Sequence, residues 1–209
     1  MIATKLVFGK NGTLTLVLLM ALLAASAPAQ NQTPANAGPL AATMQFIQDK
    51  LHSQAPVAFE IHDQYGTTHA SYRITGAFAD TASCVLRVNT AAEYKFPAGG
   101  ELRDVRTTTI ALKNVENVAE ESGQDIFNRQ KQDASTHSPE YYAVTLTASK
   151  PVFKDQYTAT TVRDGKEFPA TAEDTGKIQS TLFADEDTAE GVAKALTLAT
   201  KLCGGSLYK

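Results

Sequence analysis

Histidine, cysteine and serine are the side chains through which this sequence could do metal or nucleophilic chemistry. It contains four His and two Cys. His62 and His69 flank a predicted turn, so a hairpin would bring them together, and with Asp63 they would form a weak transition-metal site. The pattern lacks a third or fourth ligand at fixed spacing, as in H-E-x-x-H. Solvated strand and turn histidines are therefore the favoured interpretation, and we expect no cofactor.

Nucleophilic catalysis would need a serine placed beside a base and an acid. No G-x-S-x-G elbow occurs, and neither Ser83 nor Ser122 has a sequence link to a His and an acid. The acidic runs at 120–121 and 185–187 are explained by a solvated loop and by helix capping. Catalytic groups assemble in space, so an enzyme stays open as an alternative, but we expect a non-enzymatic protein.

The two cysteines, Cys84 and Cys203, stand outside any C-x-x-C redox motif. In an oxidising compartment, two cysteines of a small domain most often pair. Their disulfide would close a loop of about 120 residues, which the chain-entropy model values at roughly 4–5 kcal/mol. A free thiol at Cys84 is the weaker alternative, because the apolar run 82–86 would not stabilise a thiolate.

The first 29 residues, 1–29, have the pattern of a secretory signal peptide. Lys5 and Lys10 precede a short apolar run, 14–25, and the small residues at 27–29 suit signal peptidase. The run is shorter than the roughly 20 residues that a membrane span needs, so cleavage is favoured over retention as an anchor. We therefore expect a periplasmic or secreted protein with no integral membrane insertion after cleavage.

The charge balance argues against polyanionic partners. The chain has 19 basic and 22 acidic residues, a net charge of −3. Cleavage of the signal would remove two Lys and no acid, leaving 17 basic against 22 acidic residues, a formal charge of −5. Nucleic-acid binding proteins carry a basic stripe instead. We expect no nucleic-acid partner.

The elements that would hold these groups follow from the hydrophobic periodicity. Residues 30–38 are polar and predict a flexible lead-in, after which a single globular domain, 39–205, begins. Helical spacing predicts a helix over 40–52, and a long irregular loop is predicted over 116–140. Period-two alternation and turn signals predict about seven antiparallel strands, near 59–64, 70–79, 83–89, 105–115, 141–149, 156–163 and 177–184. The fold class is therefore α+β.

Aromatic residues provide the candidate interaction surface. Tyr141, Tyr142 and Tyr157 lie on two predicted strands that we expect to be neighbours, with Phe153 between them in sequence. Alternation turns half of the side chains of a strand outward. An outward tyrosine cluster beside the 116–140 loop would be a protein contact surface, although core packing explains at least half of these aromatics.

The C-terminal helix is the best-specified element of the chain. A capping box, Asp187 to Glu190, begins it, and small and apolar residues recur at three- and four-residue steps down to Cys203. Gly204 suits the left-handed position after the helix. Cys203 therefore falls on the buried stripe, from which it could reach Cys84 on a strand beneath.

A helix, about seven antiparallel strands and a closing amphipathic helix together resemble the plan of the pleckstrin-homology-like barrel. The segment 182–205 has an F-x-D-E-D-x-A…V-A-K-A-L…L-C-G-G pattern, which is similar to the ending of uncharacterised exported bacterial proteins. These resemblances imply a closed barrel capped by the C-terminal helix, and a strand cysteine bonded to the helix cysteine. They carry over no functional residue.

Phosphoinositide binding is the family activity that this sequence argues against. Members of the pleckstrin-homology family that bind phosphoinositides place Lys and Arg around their first hairpin. Here the corresponding residues, 60–69, include two acids and no Lys or Arg. An anionic head group would find no clamp there, so we expect no phosphoinositide partner.

The sequence as a whole favours a non-enzymatic exported binding module. Its partner would be an envelope or extracellular protein, buried against the edge of the barrel or against the loop 116–140. The first alternative is a small exported enzyme or metal-binding protein that uses His62 and His69. The second is a purely structural component of the envelope.

Overall fold

The computed structural model describes residues 38–63, 65–130 and 140–207. The predicted signal, 1–29, and all of the predicted lead-in except Gly38 lie outside the described residues. Within the described part of the chain, no helix is long and apolar enough to cross a membrane.

The described residues form three α-helices, one short 3₁₀ turn and nine strands. The helices are α1 (Pro39–His52), α2 (Gly123–Gln130) and α3 (Glu186–Leu202), and the 3₁₀ turn is Leu112–Asn114. The strands are β1 (Val57–Asp63), β2 (Gly66–Asp80), β3 (Val85–Lys95), β4 (Glu101–Ala111), β5 (Asn117–Ser122), β6 (Tyr142–Thr147), β7 (Phe153–Arg163), β8 (Lys166–Gly176) and β9 (Ile178–Phe183). The expected α+β class is confirmed.

The strands form two antiparallel sheets, and three strands of the larger sheet bend at a corner and continue as the smaller sheet. The larger sheet has the order β1-β2-β3-β4-β7-β8, and the smaller has the order β5-β6-β9. β4 leads into β5, β6 into β7, and β8 into β9 through the single residue Lys177. Backbone hydrogen bonds from Ala148 N to Lys177 O and from Val152 N to Gly176 O, both 2.9 Å, continue the ladder across the corner. The small sheet is therefore the bent continuation of β4, β7 and β8.

The expected closed barrel of about seven strands is wrong for the described residues. Their nine strands leave open edges at β1 and β8 in the large sheet and at β5 and β9 in the small one. The strands after the corner pair with one another as a separate sheet, β5-β6-β9, and none of them pairs with β1. The resemblance to pleckstrin-homology-like proteins and the C-terminal motif stays a prediction.

The expected loop 116–140 is also largely wrong. Residues 117–122 form β5, which pairs with β6, and residues 123–130 form α2. Residues 131–139 lie outside the described residues. The stretch 169–175, which falls between the predicted strands 156–163 and 177–184, belongs to β8. Both strands escaped prediction because they are edge strands, which need no continuous apolar face.

The terminal helices pack together over the concave side of the bent sheets. α1 begins at Pro39, one residue before the predicted start, and contacts β2 and α3. Its Gln48 Oε1 and His52 Nε2 accept hydrogen bonds from the N–H groups of Ala79 and Ala77, 2.9 and 3.0 Å. These bonds satisfy the part of β2 that extends beyond the end of β1.

The apolar face of α3 covers the core. Its cap is Asp185, whose carboxylate accepts a 2.8 Å hydrogen bond from Thr188 N, rather than the predicted Asp187. Gly204 has a φ of +80°, the left-handed conformation that its position after the helix predicts. The core cluster is formed by Met44, Ile47, Leu51, Leu86, Val88, Ile110, Leu112, Val115, Val144, Leu146, Phe153, Phe183, Ala189, Val192, Leu196 and Ala199.

A disulfide joins Cys84 to Cys203, with a Cα–Cα distance of 5.8 Å and a sequence separation of 119. It ties the turn between β2 and β3 to the end of α3. Cys84 has a φ of 55°, and its carbonyl accepts a 3.0 Å hydrogen bond from Leu112 N at the corner. Helix, hairpin and corner are therefore fixed at one point.

We predict that the disulfide contributes a large part of the stability. The loop that it closes has a chain-entropy value of roughly 4–5 kcal/mol, so reduction should lower Tm by about 10–20 °C. Circular dichroism melts with and without a phosphine reductant measure this change. The double variant Cys84→Ser/Cys203→Ser is the control and should melt at the reduced temperature in both buffers. Equal melting of oxidised and reduced wild type would contradict a stabilising bond.

We also predict that Gly205 is needed where the tail folds back on α3. A Cβ there would lie 2.6 Å from Thr200 Cγ2, 3.0 Å from Thr200 O and 3.2 Å from Leu112 O. Since two of these atoms are backbone, Gly205→Ala should lower the free energy of unfolding by about 1–3 kcal/mol. Gly100→Ala is the matched control, because its Cβ would make only ordinary contacts, 3.8 Å from Phe96 Cδ2 and 3.8 Å from Val162 O. Urea titration of both variants tests the difference.

Candidate functional site

The tyrosines singled out in the sequence do not lie on neighbouring strands. Tyr142 is the first residue of β6 in the small sheet and Tyr141 directly precedes it, whereas Tyr157 lies on β7 of the large sheet. Tyr141 packs on Phe59 with ring centroids 5.1 Å apart, and burial raises the pKa of its hydroxyl. The Glu186 carboxylate raises the pKa of Tyr142. The prediction of one adjacent-strand cluster is therefore wrong, because the corner separates β6 from β7.

The two predicted histidines meet through an acid that the sequence reasoning did not include. His62 Nε2 lies 3.3 Å from one oxygen of Glu60, and His69 Nδ1 lies 3.0 Å from the other. His62 Nδ1 also lies 2.9 Å from Thr67 Oγ1. In the described part of the chain, no group of three or more His, Cys, Asp or Glu side chains is placed to hold a metal ion. The metal-binding alternative stays a prediction.

A polar network occupies the middle of the large sheet, on the face that also carries Phe153, which we call the inner face. Arg106 Nη2 donates to Asp104 Oδ2 at 3.0 Å, and Nη1 donates to Asp155 Oδ2 at 3.2 Å. Thr108 Oγ1 donates to Asp155 Oδ1 at 2.6 Å. The Arg106 guanidinium lies 4.9 Å from the ring centroid of Tyr157, a cation–π distance.

Two further tyrosines border this network. Burial raises the pKa of Tyr72, and the positive charge of Arg106 opposes that rise. Burial also raises the pKa of Tyr94, with the Asp104 carboxylate adding to the shift. Oδ1 of Asp104 is buried and has no hydrogen-bond partner among the described residues. The network joins β4 to β7 by side chains as well as by the ladder, and so fixes this part of the sheet.

β8 continues the inner face, but it is almost entirely exposed. Ten of its eleven residues are exposed and only the last is half-buried. Phe168, Ala170 and Ala172 occupy inner-face positions, opposite Thr161, Ala159 and Tyr157 of β7. The alternate, outer-face positions of β8 hold Glu167, Pro169, Thr171 and Glu173. β8 therefore alternates like a strand with one covered face, yet neither face is covered by the described residues.

A recess lies at the tip of the β7–β8 hairpin. Asp164 and Gly165 have φ values of 52° and 71°, the two positive angles of a type I′ turn. The recess has a volume of about 510 Å³ and is lined by Thr161, Arg163, Asp164, Lys166 and Phe168. Its walls therefore offer one exposed aromatic ring beside two cations and one acid.

The opposite, outer face of the large sheet holds two further recesses. The larger, about 580 Å³, is lined by Arg87, Thr107, Thr109, Lys154, Asp155, Gln156, Glu173, Asp174 and Thr175. The other, about 360 Å³, is lined by Pro56, Ser71, Tyr72, Arg73, Ala91, Ala92, Glu93, Arg103, Asp104 and Val105. The larger recess is lined by polar and charged residues alone and contains no aromatic or aliphatic residue. We take the inner face of the β7–β8 hairpin as the candidate site.

The predicted strand 156–163 ends at the Asp164-Gly165 turn, and the strand that follows this turn was not predicted. Pro169 and the acidic neighbours made 169–175 look irregular, although Phe168, Ala170 and Ala172 recur with period two. That alternation after a type I′ turn was the available signal for β8. The Arg106 network had no such signal, because the register of β4 and β7 alone brings its members together.

Comparisons with protein-family models, with curated proteins and with solved structures found no match for this chain. No relative therefore supplies a function or a set of site residues. What can be said of function follows from the geometry and chemistry of the described residues.

We predict that Asp155 anchors the network. Asp155→Ala removes the acceptor of the Thr108 hydroxyl and one of the two carboxylates that Arg106 binds, so the free energy of unfolding should fall by about 2 kcal/mol. Asp174→Ala is the matched control, because Asp174 lies directly opposite on β8 and, among the described residues, its carboxylate accepts only from the adjacent Thr175 N. That control should change stability by less than about 0.5 kcal/mol. Urea titrations measure the free energy of unfolding of both variants. Equal decreases in the two variants would show that the network makes no specific contribution to stability.

Proposed function

We propose that this protein is a non-enzymatic, exported binding module whose docking surface is the inner face of the β7–β8 hairpin. The observation that carries the proposal is the alternation of β8. Phe168, Ala170 and Ala172 share one face, as in a strand that packs on something, but all three are exposed. Burying such a face releases free energy in proportion to its apolar area, about 25 cal/mol per Å².

The geometry favours docking on the face of β8 over strand addition at its edge. The two-residue turn makes Arg163 and Lys166 a hydrogen-bonded pair, so Pro169 falls at a position whose nitrogen faces the open edge. An incoming strand would lose a backbone donor at the middle of β8. Charged Glu167 and Glu173 also flank Pro169, which is how natural sheets block edge pairing.

Export agrees with the covalent chemistry of the fold. The Cys84–Cys203 disulfide is of the kind that persists in oxidising compartments, the periplasm or the exterior. Asp104 and Asp155, the acids of the network beside the docking surface, are held by Arg106 and act as structural partners of it. Enzymatic, metal-binding and purely structural roles, and an envelope protein as partner, stay predictions.

A neutral apolar dye tests the docking surface without assuming a particular ligand. N-phenyl-1-naphthylamine gains fluorescence on leaving water, and we expect saturable binding at one site by the folded protein. Phe168→Glu should weaken this binding at least tenfold, because it places a charge in the middle of the apolar strip. Tm should stay within a few degrees, since the side chain is already 55% exposed.

Phe78→Glu provides the matched control for this test. Phe78 is also 55% exposed, but it lies at an outer-face position opposite Arg87. Its substitution should leave dye binding unchanged. Dye binding that resists Phe168→Glu, or that falls equally with Phe78→Glu, would overturn the proposed docking surface.

A further inference from the structure

We propose that the ligand of this surface is a single-chain anionic amphiphile, a fatty carboxylate whose head group is held by Arg163 and Lys166. The inference rests on the proposed docking function and adds the chemical class of the ligand. The acyl chain would lie along the strip of Phe168, Ala170 and Ala172. The carboxylate would sit in the recess at the tip of the hairpin.

The first argument is the pair of cations at the tip. Arg163 and Lys166 are directly opposite each other across β7 and β8, and both are exposed. Like charges in this relation destabilise a hairpin. Neither side chain forms an ion pair with any of the described residues. A bound carboxylate between them would relieve the repulsion, and Arg163 can bind it through two N–H groups.

The second argument is the order of chemistry along the hairpin. From the tip inwards, the inner face presents the two cations, then the exposed ring of Phe168, then the methyl groups of Ala170 and Ala172. Positions 168 to 172 span about 13 Å at the rise of an antiparallel strand. Tyr157 lies opposite Ala172, and the strip ends at the next inner-face pair, Asp155 and Asp174. A charged head followed by a straight apolar chain matches this order.

The third argument comes from what the recess excludes. Asp164 is the only acid that lines it, so its charged residues sum to one positive charge. A cationic head group would meet Arg163 and Lys166 directly. A sugar would find one exposed aromatic ring and a single hydroxyl, that of Thr161. An anion with an apolar chain is the class that both the cations and the strip recognise.

Calorimetric titration with dodecanoate below its micellar range is the test, with dodecyltrimethylammonium as the chain-matched cation. We expect dodecanoate to bind at least tenfold more tightly than the cation, and the difference to shrink as salt is raised. Arg163→Gln/Lys166→Gln should reduce dodecanoate affinity at least tenfold while leaving binding of the neutral dye unchanged. Arg87→Gln/Lys154→Gln, which removes the same charge from the outer face, should leave both unchanged.

The outcomes separate the two proposals. If the wild type binds neither the dye nor dodecanoate, both proposals are overturned. Dye binding that depends on Phe168, together with equal affinity for dodecanoate and the cation, would overturn only the anionic ligand. An equal loss of dodecanoate affinity in the Arg87/Lys154 control would overturn it as well, since net charge would then explain the preference.

Two other occupants of the strip are tested in the same samples. Sedimentation of the wild type should give a monomer at the concentrations of the titrations. A dimer that Phe168→Glu disrupts would assign the strip to a second copy of the chain and overturn the proposal. A ten-residue acidic and apolar peptide should bind more weakly than dodecanoate, and tighter binding by the peptide would also overturn it.

Discussion

The bend that carries β4, β7 and β8 into the small sheet is the constraint on which the rest of the structure depends. At this corner, Leu112 and Val115 are both fully buried although they lie three residues apart, which a straight strand would not allow. α3 packs against the corner and against β5 and β6. The disulfide then fixes the end of α3 to the β2–β3 turn. The apolar core is thereby concentrated at one end of the large sheet.

That concentration leaves the other end of the large sheet to be held by polar contacts. Around Arg106 the sheet is joined by hydrogen bonds to Asp104 and Asp155 and by the ring of Tyr157. Further out, β8 is held through its ladder to β7 and has no buried side chain of its own. Residues such as Phe168 therefore contribute little to stability. A surface of this kind can carry apolar groups for a ligand without weakening the fold. A binding module needs this separation of the residues that bind from the residues that stabilise the fold.

The parts of the fold that sequence periodicity predicts are those with one buried face. α1 and α3 follow from their stripes, β2 and β3 from alternation, and the disulfide from compartment and cysteine count. The corner does not follow, because the burial of Leu112 and Val115 depends on helices distant in sequence. β5 and β8 were missed because edge strands tolerate acids and proline. The Arg106 network was missed for a different reason, since Asp155 lies 49 residues away and only the strand register brings it near.

The overall charge of the chain, −3, does not oppose an anionic ligand at the hairpin tip. At physiological ionic strength, exposed charges are screened beyond about 8 Å. Two acids of the outer face are moreover paired in place, Glu93 with Lys95 and Glu167 with Arg103. The field at the recess is therefore set by the residues that line it, two cations and Asp164. Recognition of an anion here is a local property of one type I′ hairpin, and the apolar strip beside it determines which anions are retained.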